Sequence, residues 1–122
     1  MNKEKVDWVI HGVHQEDGGI VYHTHGLNEY GLMELELNLP LQLKRATHFI
    51  NKIAIHLIEN NIAIENEYMD EKNIFQCDIY FEKVKGIDGD GSDKIRVVLP
   101  DENFLFPWHE GCNETYKRQL NV

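Results

Sequence analysis

Between Met33 and Leu57 the apolar period changes once, and that change restricts the fold more than any other feature of the chain. Met33, Leu35, Leu37 and Leu39 alternate with Glu34, Glu36 and Asn38, the two-residue period of a half-buried strand. Pro40 suits the first turn of a helix. Beyond it Ala46, Phe49, Ile50, Ile53, Ala54 and Leu57 recur at three- and four-residue spacing, which predicts a helix over 40–59. Lys44, Arg45, Lys52 and Glu59 take its wet side, and Asn60-Asn61 offers a left-handed residue to end it. A strand with one apolar face that feeds an amphipathic helix calls for a helix packed on a sheet.

The flanking segments supply the rest of that sheet. Trp8 to His14 and Ile20 to His25 are rich in β-branched and aromatic residues and are separated by the turn-forming Gln15-Glu16-Asp17-Gly18-Gly19, so they read as a hairpin. Phe75, Cys77, Ile79 and Phe81 alternate with polar residues as a fourth strand. Lys94 to Leu99 is a fifth, stopped by Pro100 and joined to the fourth through the glycine- and aspartate-rich 86–93. The segment 62–72 is mixed and acidic and yields no element. Phe104, Phe106 and Trp108, around Pro107, read as coil sealing a core edge, and 113–122 as a short helix. The expected class is α+β: an antiparallel sheet of about five strands with one long helix on one face, forming a single domain over 1–122.

Charge and composition narrow the partners. The 122 residues include 21 acidic and 12 basic ones, a formal charge of −9, which repels phosphate backbones and anionic lipid surfaces and so excludes nucleic acid and membrane. The apolar runs are far shorter than the ~20 residues of a membrane-spanning helix. The start of the chain lacks the apolar stretch of a signal peptide. With only two cysteines, Cys77 and Cys112, the chain reads as a cytoplasmic protein with reduced thiols.

Taken in order, Thr24-x-Gly26-Leu27, Gly31-x-x-Glu34-Leu35, Pro100-Asp101 and Phe106-Pro107-Trp108 resemble the layout of a bacterial domain-of-unknown-function family. The resemblance spans about Ile20 to Gln119. It implies a small cytoplasmic protein without an assigned activity and carries over no catalytic residues. His23 and His25, which flank Thr24, depart from that layout.

Three local patterns bear on chemistry and each has a plainer reading. Asp88-Gly89-Asp90-Gly91-Ser92-Asp93 resembles part of a calcium loop, but the position for its bidentate glutamate is occupied by Leu99, so a hairpin loop is the simpler assignment. His109 and Cys112 are three residues apart without a third partner, in an acidic stretch that does not favour a thiolate. His48 and His56 stand eight apart on the helix and cannot chelate one ion unaided. The chain has no phosphate loop, nucleophile elbow or His-Glu-x-x-His.

The sharpest pattern lies in the first three strands. If 28–31 form a hairpin loop, Leu27 pairs with Leu32, His25 with Glu34, His23 with Glu36 and Tyr22 with Leu37. A five-residue loop at 15–19 pairs His14 with Ile20 and sets His11 opposite His23. His11, His23, His25, Glu34 and Glu36 then share one face, a ligand set suited to a divalent transition metal. The plainer reading is a solvated polar face. The leading functional expectation is a non-enzymatic binding or protein-interaction module with an acidic surface; the charge is compatible with a cation, a basic protein or a neutral small molecule as its partner. The alternative is a metal-binding protein or metal-dependent hydrolase using the His/Glu face. A homodimer is also expected, since a small sheet with one helix leaves an edge or face to protect.

Overall fold

The computed structural model describes residues 7–16, 18–85 and 92–120. The proposed calcium loop, 88–93, lies mostly outside these residues. Two three-stranded antiparallel meanders share one sheet. The first is β1 (Val9–His14), β2 (Ile20–His25) and β3 (Leu35–Leu37); the second is β4 (Glu67–Asp70), β5 (Ile79–Lys85) and β6 (Asp93–Val98). The spatial order is β1-β2-β3-β6-β5-β4, and the seam between the meanders, β3 on β6, is parallel. The long helix α1 (Leu43–Glu59) follows β3, and a short helix α2 (Glu114–Lys117) closes the described chain with a 3-10 turn at Arg118–Leu120.

The sheet has six strands and is mixed, where about five antiparallel strands were expected. The added strand is β4, whose Glu67-Tyr68-Met69-Asp70 has one alternation and two acids, too short a run for a periodic signal. The parallel seam arises because α1 and the second meander intervene between β3 and β6, and a parallel partner needs such a crossover. The helix begins at Leu43, three residues past Pro40, with Gln42 as its N-cap. It ends as expected: Asn61 adopts a left-handed φ of 53°, and the Ile62 amide returns to the Leu57 carbonyl at 3.0 Å. The predicted fourth strand starts at Ile79 in place of Phe75, and residues 72–77 form bends.

One sheet face packs on α1. Trp8, Tyr22, Leu35, Leu37, Leu39, Ile79, Phe81, Ile95 and Val97 meet Ala46, Ile50, Ile53, Ala54 and Leu57 in a single core. Two polar tips fasten the first meander to the helix region. The Trp8 indole donates to Asn51 Oδ1 at 2.8 Å, and the Tyr22 hydroxyl donates to the Leu41 carbonyl. Burying such side chains contributes roughly 1.5–3 kcal/mol each, and the two central strands, β3 and β6, are correspondingly the most enclosed. No helix among the described residues is long and apolar enough to cross a membrane.

Candidate functional site

The sheet face turned away from α1 is polar, and its register draws one row across all six strands. His11 pairs with His23, His23 with Glu36, Glu36 with Arg96, Arg96 with Glu82, and Glu82 with Glu67. Directly paired residues point the same way, so six ionisable side chains line one stripe. The central members are enclosed: Glu36 is 1% exposed, His23 5% and Arg96 7%. Arg96 bridges its two neighbours, Nε to Glu36 Oε2 at 3.4 Å and Nη1 to Glu82 Oε1 at 3.4 Å. An ion pair this enclosed offsets a large desolvation cost, so removing one partner strands the other.

At the β1–β2 end, His11, His23 and His25 come together as expected, with ring centroids 4.8–5.8 Å apart, His25 edge-on to both others. The pairs His11 with His23, His23 with Glu36, His14 with Ile20 and Tyr22 with Leu37 stand in the expected register. Each of the two carboxylates has a partner outside the three histidines. Glu36 turns toward Arg96. The β2–β3 ladder stops at His23 and Glu36 without reaching His25 and Glu34, and the Glu34 side chain bonds to the turn that follows β2. There it accepts from the Thr24 hydroxyl at 2.8 Å and from the amides of Gly26, Leu27 and Asn28 at 3.3, 3.0 and 3.1 Å. Among the described residues no three His, Cys, Asp or Glu side chains are set to hold a metal ion.

This corrects the expected hairpin loop. Leu27–Tyr30 is a 3-10 turn bounded by Gly26 and Gly31, both left-handed, and Glu34 caps the amides at its start. A Cβ on Gly26 would also lie 3.1 Å from the Trp8 Cα, so glycine is required there on two counts. The Leu32 amide still reaches the Leu27 carbonyl at 3.3 Å, so that expected pairing is present. Thr24, Gly26, Leu27 and Glu34 of the motif layout thus act together as one clamp.

The Pro100-Asp101 and Phe106-Pro107-Trp108 motifs build a second clamp. Asp101 accepts from the amides of Asn103 and Leu105 on Oδ1 and of Asn113 on Oδ2, all at 2.8–2.9 Å. Burial opposes its ionisation, but these amides and the Cys112 thiol outweigh that and hold its carboxyl below the ordinary value. Burial and the Asp101 charge push the Cys112 thiol up, and burial raises Cys77, a half-buried residue, in the same direction. His109 accepts the Phe106 amide at Nδ1, 2.9 Å away, and so serves the turn. Neither thiol is set up as a nucleophile. His48 is exposed on α1, and His56 lies beside Asn60 at the helix end.

The clamped loop delivers aromatic surface to the β5–β4 end of the polar face. Trp108 is 49% exposed, stacks on Phe106 at 4.7 Å and stands edge-on to Tyr80 at 5.3 Å. The Tyr80 hydroxyl donates to Glu67 Oε2 at 2.8 Å, and this bond, with burial and the acid charges, pushes its pKa up to about 12. Phe104, 66% exposed, lies four residues before Trp108. Residues missed in the sequence, namely Lys94, Arg96, Glu82, Glu67, Tyr80 and Trp108, therefore make up the part of the face beyond β3. The alternation Lys94-Ile95-Arg96-Val97 places two cations on one side of β6, a signal available had the parallel seam been foreseen.

Comparison of the chain with family models, characterised proteins and solved structures gives no match.

Proposed function

We propose that the chain is a non-catalytic binding module that takes a basic segment of a partner protein on the aromatic and acidic end of its polar face. The observation that carries the reading is the half-exposed Trp108 set edge-on to Tyr80, with Glu67 and Glu82 on the adjoining strands. Aromatic faces attract guanidinium and ammonium groups, and neighbouring carboxylates add to that attraction. Trp and Tyr in such settings supply most of the energy of protein interfaces. The formal charge of −9 steers a cationic partner toward the surface and turns anionic ones away.

Tryptophan fluorescence tests this directly, because Trp8 is buried and Trp108 is the exposed one of the two. Titration with an arginine-rich peptide produces a saturable change in emission that weakens with added salt. Trp108→Ala loses the signal and, measured by calorimetry, binds roughly tenfold or more weakly, as removal of an aromatic anchor requires. Equal calorimetric affinity in both proteins would contradict the reading.

A further inference from the structure

Among the described residues the sheet ends in two edge strands, β1 and β4, and only β4 adjoins the aromatic and acidic end of the polar face. The direction of its backbone groups follows from the ladder with β5. The Lys83 amide donates to the Asn66 carbonyl at 2.7 Å, and the same register pairs Tyr68 with Phe81 and Asp70 with Ile79. Hydrogen-bonded and non-bonded pairs alternate along an antiparallel ladder, so Asn66, Tyr68 and Asp70 direct their backbone groups to β5 while Glu67 and Met69 turn N–H and C=O to the open edge. These two residues also carry their side chains on the polar face, Glu67 beside Glu82 and Met69 beside Tyr80, whose ring meets Trp108 edge-on. Both are exposed.

An open edge is a template for a further strand, which folds commonly block with lysine, proline or a bulge. β4 contains neither lysine nor proline, and its register runs without a bulge. Its charge is acidic instead: Glu65, Glu67 and Glu71 are exposed along and beside it, whereas β1 contains no acidic residue. Asp70 is enclosed and accepts from the amides of Asn73 and Ile74, so it belongs to the fold. An acidic edge repels a second copy of this acidic chain and attracts a basic strand. We infer that the basic segment docks in extended form as an added strand antiparallel to β4, held by the backbone groups of Glu67 and Met69, with every second side chain falling on the aromatic and acidic end. This rests on the reading of Trp108 and its neighbours as a site for a basic segment and adds how that segment is held. Backbone bonds of this kind give affinity, and the alternate side chains give selectivity. Directly opposed residues share a face, so a cation opposite Glu67 meets that carboxylate, and the next residue of the same face, roughly 7 Å along the strand, lies opposite Met69. The Tyr80 hydroxyl bonded to Glu67 Oε2 does not exhaust a carboxylate, which accepts several bonds.

A peptide of alternating arginine and threonine, compared by calorimetry with one form N-methylated at every arginine and another N-methylated at every threonine, separates the outcomes. In the antiparallel pairing, the arginines that share a face with Glu67 and Met69 point their amides at β4 and the threonines point theirs away. Methylation at arginine therefore weakens binding roughly tenfold or more, and methylation at threonine changes it by less than about twofold. Saturating unmethylated peptide slows hydrogen exchange at the Glu67 and Met69 amides of the intact protein. Met69→Pro removes one outward donor without entering the β4–β5 ladder, a substitution that edge strands accept, and it weakens the unmethylated peptide. The methylated peptides act on the unaltered protein and decide the matter should that variant not fold. Equal affinity of the two methylated peptides, or unchanged exchange at Glu67 and Met69 under saturating peptide, overturns the strand addition and leaves the Trp108 reading standing. Failure of the unmethylated peptide to bind overturns both.

Discussion

The two ends of the polar face differ in chemistry although they share one register. Around β1, β2 and the start of β6 stand His11, His23, His25 and Lys94; around β5 and β4 stand Glu82, Glu67, Tyr80 and Trp108. Between them Glu36 and Arg96 form the border, each facing the end of opposite character. A net charge of −9 hides this segregation, since it does not distinguish a histidine-rich end from an acidic and aromatic one. The lesson is that a sheet face can present two electrostatic surfaces if an enclosed ion pair insulates one from the other.

Breaking that border has the largest expected effect. Arg96→Met leaves Glu36 enclosed and Glu82 without its guanidinium, and is expected to cost about 3–5 kcal/mol in chemical denaturation. Adding Glu36→Leu to Arg96→Met restores a large part of the loss, because an apolar pair carries no stranded charge. A double variant no more stable than the single one would show that the border is not held by the ion pair.

The second effect sharpens the contrast by loosening only the histidine-rich end. Glu34→Ala removes the acceptor of four hydrogen bonds and releases the turn that follows β2. A loss of roughly 2–3 kcal/mol is expected, since bonds to a charged acceptor are the strong ones. Chemical denaturation checks the loss, and peptide binding at Trp108 stays unchanged.

The smallest effect belongs to the aromatic end and is read as a pH dependence. The Asp101 carboxyl is held below its ordinary value, so its contribution is present above the usual carboxylate range and lost as the pH falls through its folded-state value. Asp101→Asn is therefore less stable than the wild type at pH 7, and the gap closes on acidification. Tm measured from pH 7 down to pH 2 checks this, and a gap that persists at the lowest pH contradicts it.

The sequence revealed the local parts of this arrangement and not the long-range one. The strand and helix periods around Pro40, the β1–β2 hairpin, the convergence of three histidines and the pairing of His23 with Glu36 are set by neighbours in the chain, where register follows from loop length and alternation. The parallel seam joins residues some sixty positions apart, Glu36 to Arg96, and no local period encodes such a partner. That is why alternation alone places Glu36 beside His23 and does not disclose the guanidinium on its other side. The role of Glu34 is hidden for a different reason: three amides beside the left-handed Gly26 compete for its carboxylate, and alternation does not register backbone donors at a turn.

The claim that one face carries two separate ends, of which the aromatic and acidic one takes the partner, is tested most directly by amide NMR of the intact protein titrated with an arginine-rich peptide. The account predicts that the peptide shifts Trp108, Tyr80 and their neighbours on β4 and β5 and leaves His11, His23 and His25 in place. Shifts centred on the three histidines, or confined to α1 and the edges away from this face, would contradict it.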